Sequence, residues 1–114
     1  MKILIIEDNP EISNAIGIAI QIRWRDAQIV TTHLGKRGVE LVETEKPEIV
    51  VLDLGLPDIS GYEVLKRIRL FSVVPVLILT VRSDEDDIVK AITWGKNNKD
   101  PLAISMIQRF NLPL

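Results

Sequence analysis

The chain has 114 residues and no cysteine. That absence excludes a disulfide framework and a thiolate metal site. No apolar run approaches the ~18 residues of a membrane-spanning helix. The opening "MKILIIEDN" (1–9) has too short an apolar run for a signal peptide, and acids follow at once. Neither sign of charge dominates: 14 basic and 16 acidic side chains give a net charge of -2. Such a balance argues against a nucleic-acid surface as the main feature, though not against a DNA-binding domain elsewhere in a longer parent chain. There is no internal repeat, low-complexity tract or linker, so one domain over residues 1–114 is expected. With 46% hydrophobic and 26% charged residues, the composition is ordinary for a globular domain and can bury a core without staples. The expectation is a cytoplasmic domain that neither binds nucleic acid itself nor enters a membrane.

Short β-branched runs alternate with helical patterns. "KILII" (2–6), "AQIVTT" (27–32), "EIVVLD" (48–53) and "VPVLILT" (74–80) read as strands, the all-apolar ones suiting a sheet covered on both faces. Between the first two, "NPEISNAIGIAIQIRW" (9–24) opens with a capping Asn9 and Pro10 at the first helical position. Its core face reads as Ile12, Ala15, Ile16, Ala19 and Ile20. "GKRGVELVETEKP" (35–47) is a short helix ending before Pro47. "SGYEVLKRIR" (60–69) presents Val64, Leu65 and Ile68 on one face, and "SDEDDIVKAITWG" (83–95) runs from a capping Ser83 to a stop at Gly95. Four such alternations predict an α/β fold with a parallel sheet, helices on both faces and right-handed crossovers. After Gly95 the pattern frays: "KNNKD" (96–100) is too polar for a buried strand, and "PLAISMIQRF" (101–110) reads as a last helix starting at Pro101.

Ligands of open parallel sheets bind beyond the carboxyl ends of the strands. The first strand ends at Glu7 and Asp8, the third at Asp53 and the fourth at Thr80. Three carboxylates and a hydroxyl therefore converge on one rim from distant points in the sequence. Each alone has a plainer role: Asp8 as a helix cap, Glu7 as a solvated loop acid, Asp53 as a turn cap, Thr80 as a β-branched strand residue. Together, clustered carboxylates raise one another's pKa or recruit a cation. With oxygen ligands only, the cation is hard: Mg²⁺, or Mn²⁺ or Ca²⁺. An aspartate beside it can attack phosphorus to give an acyl phosphate, with Thr80 hydrogen-bonding to the transferring group.

The stretches "ILIIEDN" (3–9), "PEIVVLDLGLPDISGYEVLKRIR" (47–69) and "VPVLILTVRSDEDDIVKAI" (74–92) resemble the receiver domain of two-component response regulators, most closely receivers of the winged-helix transcription-factor type. The resemblance covers most of residues 1–95 and makes 96–114 an atypical tail. It implies a flavodoxin-like doubly wound parallel sheet of order 2-1-3-4-5, and a phosphoacceptor module rather than an enzyme. Asp53 would accept a phosphoryl group from a sensor histidine kinase. Asp8, Asp53 and the backbone carbonyl of Gly55 would hold Mg²⁺, with Glu7 helping through water, and Thr80 would be the switch hydroxyl. Pro57 and Gly61 match the loop after the acceptor. The lone histidine, His33, is then a loop residue, because the phosphorylated histidine belongs to the kinase. Trp24 and Trp94 read as packing, "DEDD" (84–87) as helix N-terminal charge, and "KRIR" (66–69) as one solvated helix face.

The family keeps a lysine followed by proline at the end of its fifth strand, and an aromatic within it. Here Asp100 precedes Pro101 and no lysine aligns. Lys99 is the nearest substitute, though it reads more readily as a solvated loop lysine, and Lys90 points to solvent. A fifth strand is expected to be eroded or missing. That would leave "VPVLILT" as a bare apolar edge, so a homodimer through that edge or by tail exchange is the corresponding expectation. The competing readings are a receiver-like interaction module that no longer switches, and a Mg²⁺-dependent aspartyl-phosphate hydrolase. The latter usually carries a second aspartate where this chain has Gly55. A dinucleotide site lacks its glycine fingerprint.

Overall fold

The computed structural model describes residues 1–79, 89–90 and 93–94, and the backbone of 103–105. In chain order the elements are β1 (Lys2–Ile6), α1 (Pro10–Arg23), β2 (Gln28–Thr32), α2 (Gly35–Glu45), β3 (Ile49–Asp53), α3 (Gly61–Arg69), β4 (Val76–Leu79) and β5 (Ala103–Ser105). All strand pairs are parallel, in the order β2-β1-β3-β4-β5. This is the expected doubly wound sheet.

Side-chain alternation along the strands divides the core into two layers. Leu4 and Ile6 of β1, Val50 and Leu52 of β3 and Val76 and Ile78 of β4 pack with Leu41 and Val42 of α2 and Val64, Leu65 and Ile68 of α3. Ile3, Ile5, Val51 and Leu79 face the other way, against Ile16 and Ile20 of α1. Each fully buried aliphatic side chain among these contributes ~1.5–3 kcal/mol relative to exposure, and the partly buried Ile16 and Ile20 less.

The helix ends follow local chemistry. The Asn9 side chain accepts from the N–H groups of Glu11 (2.9 Å) and Ile12 (3.3 Å), so Asn9, not Asp8, caps α1. Ser60 accepts from Glu63 N–H at 3.1 Å and caps α3. Helix α2 ends as expected before Pro47, with Lys46 in the left-handed region (φ 48°). At the far end of α3, the Arg69 guanidinium donates to the carbonyls of Ser72 (3.2 Å) and Val74 (2.7 Å), bracing the entry to β4.

Three expectations need correction. The inward face of α1 is not built on Ala15 and Ala19, which are exposed; its buried residues are Ser13 and Gly17. Gly17 faces Ile29 of β2, with the place of its missing Cβ at ordinary contact distance, 3.7 Å, and Ile16 and Ile20 pack partly buried against the same layer. Trp24 is 49% exposed, and the Arg23 guanidinium stacks over its ring at 5.5 Å; Trp94 does pack against the core. Within the helix expected over 101–110, residues 103–105 are strand, aligned with Leu77, Ile78 and Leu79 of β4. The rest of that span lies outside the described residues. Backbone pairing with an open neighbour outweighs the helix-start signal of Pro101. The fifth strand is thus short, as an eroded one would be, but it covers three of the four β4 residues. The premise of a bare edge does not hold there.

Helix α2 meets β1 where Gly38 faces Ile6. A Cβ at Gly38 would lie 2.8 Å from Ile6 Cγ1 and closer still to Cδ1. Overpacking costs ~1–3 kcal/mol and the gain in helix propensity over glycine offsets up to ~1 kcal/mol. Gly38→Ala is expected to lower stability by a net ~1–2 kcal/mol, read as a lower urea midpoint with unchanged slope. An unchanged or raised midpoint would contradict this packing.

Candidate phosphoacceptor and metal site

The alternation that places Ile3 and Ile5 on the α1 side of β1 continues to Glu7, and on β3 it runs from Val51 to Asp53. One step beyond the Ile6–Leu52 pair, the parallel register sets Glu7 beside Asp53. The Glu7 N–H donates to the Thr32 carbonyl at 3.0 Å, extending the ladder past β1. From β1 the chain passes to β2 on one side, and β3 lies on the other, so Glu7 and Asp53 stand where the sheet changes winding direction. Such a crevice is where doubly wound sheets bind ligands.

Glu7, Asp8 and Asp53 each bring a carboxylate oxygen within 4.8 Å of the others. Glu7 is 3% and Asp53 2% exposed, whereas Asp8 is half-buried. The Asn9 N–H donates to Glu7 Oε2 at 3.0 Å, and the Gly55 N–H donates to Asp53 Oδ1 at 3.1 Å. Burial pushes the Glu7 carboxyl up to about 8, partly offset by the Asn9 N–H and reinforced by Asp8 and Asp53. Glu7 is therefore a buried member of the cluster and not the solvated loop acid its isolated position implies. The donor set is all oxygen and concentrated negative charge, which fits a hard divalent cation. The carboxylates expected at the strand ends are brought together; Thr80 and Lys99 lie outside the described residues. Gly55 is exposed and adjoins the cluster through its N–H. Lys90 and His33 are exposed, as expected. A crevice of about 310 Å³ opens beside Glu7 and Asp8, lined also by Ser13, Thr32 and His33.

The loop after Asp53 is closed at its base by Gly61. Its N–H donates to the Leu54 carbonyl at 2.9 Å, and a Cβ there would fall 2.5 Å from Leu54 Cα and nearer still to the Asp53 carbonyl oxygen. Only glycine permits this approach. At the tip of the loop, Asp58 was not singled out by the sequence. Its Oδ1 accepts from Gly35 N–H at 2.7 Å and its Oδ2 from Lys36 N–H at 2.9 Å, at the N-terminus of α2. Desolvation opposes its ionisation, but the backbone N–H groups, Lys36 and Gly35 foremost, outweigh it and hold its pKa below the usual value. One signal was legible: Leu34, the residue before α2, has no side chain that can cap it.

The family model "Response regulator receiver domain" matches residues 3–99. The chain belongs to the response regulator receiver family. It is 35% identical over 96 residues to the transcriptional regulatory protein KdpE of Mycobacterium tuberculosis, covering 84% of this chain and 42% of that protein. It is 36% identical over 99 residues to the cell cycle response regulator CtrA of Brucella ovis, covering 86% of this chain and 42% of that one. The chain thus spans about two fifths of the length of these relatives. Among solved structures, the BeF3-activated N-terminal receiver domain of Klebsiella pneumoniae RstA superposes with a TM-score of 0.74 at 26% identity, covering 95% of this chain and 86% of that one. Vibrio cholerae CheY4 shares the fold with a TM-score of 0.74 at 18% identity, covering 96% and 88%. Receivers bind a divalent metal through an acidic cluster, and this chain has one. Among the described residues, no helix is long and apolar enough to cross a membrane.

The raised Glu7 pKa sets a pH dependence. The folded state holds a proton that the unfolded chain releases near 4.5, so this stabilisation is complete below about 4.5 and is lost as pH rises to about 8. A divalent cation competes with that proton. In chelator, the urea midpoint should fall across this interval, and millimolar cation should restore it most at the alkaline end. Glu7→Gln should remove much of the fall. A chelated protein whose midpoint does not decline would refute the assignment.

Proposed function

We propose that this chain is the phosphoacceptor domain of a two-component system, with Asp53 as acceptor and a sensor histidine kinase as donor. The observation that carries the reading is the trio Glu7, Asp8 and Asp53 within 4.8 Å of one another at the winding switch of a receiver sheet. Asp8, Asp53, the Gly55 carbonyl and, through water, Glu7 would hold Mg²⁺, which when bound neutralises charge on the transferring phosphoryl group. The Gly55 N–H on Asp53 Oδ1 fixes the carboxylate plane for in-line approach. An Asp53 oxygen attacks phosphorus, the P–N bond of the donor phosphohistidine breaks, and the imidazole leaves with the electron pair. The product is an acyl phosphate on Asp53. Thr80 is assigned as the hydroxyl that then bonds to the phosphoryl oxygens. The RstA receiver, 26% identical, was crystallised activated by BeF3, which supports an activatable state in this fold. KdpE and CtrA are regulators about twice this chain's length, so an output in transcription is part of the proposal.

A second reading has its own support. No lysine follows β5 in the chain, whose last lysine is Lys99. Lys99 precedes β5, whereas the acidic cluster lies past the C-terminal ends of the strands. Without an ammonium the phosphoryl group loses a charge-assisted partner, which favours slow phosphorylation or an interaction module.

Intact mass spectrometry after incubation with Mg²⁺ and acetyl phosphate separates the readings. The expected outcome is addition of one phosphoryl group, abolished by Asp53→Asn. Cation binding with no adduct selects the interaction module, and steady release of phosphate from a simple ester selects a hydrolase.

A further inference from the structure

The loop from Leu54 to Ser60 carries the groups that serve Asp53, and it is held at three places. Its base is closed by Gly61 on the backbone of Asp53 and Leu54. Its underside places Leu56 and Ile59 beneath Gly35, where a Cβ would meet Ile59 Cγ1 at 2.9 Å and Leu56 Cδ1 at 3.2 Å. Its tip is tied to α2 by the two-oxygen contact of Asp58 with the N–H groups of Gly35 and Lys36, at 2.7 and 2.9 Å. This contact satisfies two of the orphan donors of α2, which no residue of its own caps. It also sets a carboxylate at the positive end of the helix dipole. Charge-assisted bonds of this kind are shorter and stronger than neutral ones. The two ends of the tie are 22 and 23 residues apart in sequence, so the contact fixes tertiary placement and not merely a turn.

We propose that Asp58 is a positioning residue for the acceptor site: by clamping the loop tip to the N-terminus of α2, it holds Gly55 where its N–H orients Asp53 and its carbonyl faces the cation. It acts through Gly55 and touches neither the phosphoryl group nor the cation. The assignment rests on the phosphoacceptor reading above. It makes α2 part of the acceptor machinery, since a displacement of its first turn would be felt at Gly55, three residues before Asp58.

The test compares single-turnover rates of adduct formation at saturating Mg²⁺ and acetyl phosphate with urea midpoints, using the full chain. Loss of residues that orient a metal-binding group costs ~10–100-fold, so Asp58→Ala should react about tenfold more slowly. Asp58→Asn, which keeps one acceptor oxygen, should fall between it and wild type. Val76→Ala, a core truncation at the start of β4, should lower the midpoint and leave the rate unchanged. A wild-type rate for Asp58→Ala, or an equal slowing in Val76→Ala, overturns the proposal and leaves Asp58 a helix cap. If Asp58→Ala does not fold, a wild-type rate in Asp58→Asn overturns it equally. If wild type itself takes no phosphoryl group, the phosphoacceptor reading fails, and Mg²⁺ titration then decides the clamp. A weaker affinity in Asp58→Ala, by about tenfold, sustains it, and an unchanged affinity overturns it.

Discussion

The constraint on which this molecule depends is the burial of two like charges side by side. Glu7 and Asp53 project from neighbouring central strands and are almost fully removed from solvent. Two carboxylates in that position cannot both ionise without compensation. The chain must supply a proton, hydrogen-bond donors or a cation, and it is built to accept each. The N–H groups of Asn9 and Gly55 point at the pair, Glu7 holds its proton to an unusually high pH, and Asp8 completes an oxygen set for a divalent ion. Around this costly centre stand two apolar layers, one on each face of the sheet, that keep it in place.

Asn9 and Asp8 show how adjacent residues divide labour. Either is a competent helix cap by composition. Asn9 takes the N–H groups of α1, which leaves the Asp8 carboxylate directed to the acidic cluster. Farther along, Gly61 and Asp58 divide the care of one loop between its base and its tip.

The legible parts of the sequence were those written in short-range patterns. Strands β1, β3 and β4 announce themselves as β-branched runs, and the acids at their ends are evident once the strands are parallel. Asp58 left only the indirect trace of an uncapped Leu34, because its partners are backbone N–H groups of a remote helix, and a contact of that kind leaves no periodicity near either end. The inner face of α1 was misread because apolar spacing favours Ala15 and Ala19, whereas the helix turns Ser13 and Gly17 inward beside Ile16 and Ile20. Strand β5 is three residues long, too short for alternation to show, and it exists because β4 offers unpaired backbone. Lys46, in the left-handed region, is a position where sequence favours glycine, and the chain reaches it with a lysine.

The missing Cβ of Gly61 gives α3 a mechanical character. The helix is seated directly on the backbone of Asp53 and Leu54, like a lever on its fulcrum. Its nine residues make a rod about 13 Å long, whose other end grips the carbonyls of Ser72 and Val74 at the threshold of β4. The rod therefore links the C-terminal end of β3 to the start of the neighbouring β4 by a path that bypasses the strands. Any tilt at its seat is magnified at its tip, in a segment where Leu70 and Val73 lie almost wholly in solvent.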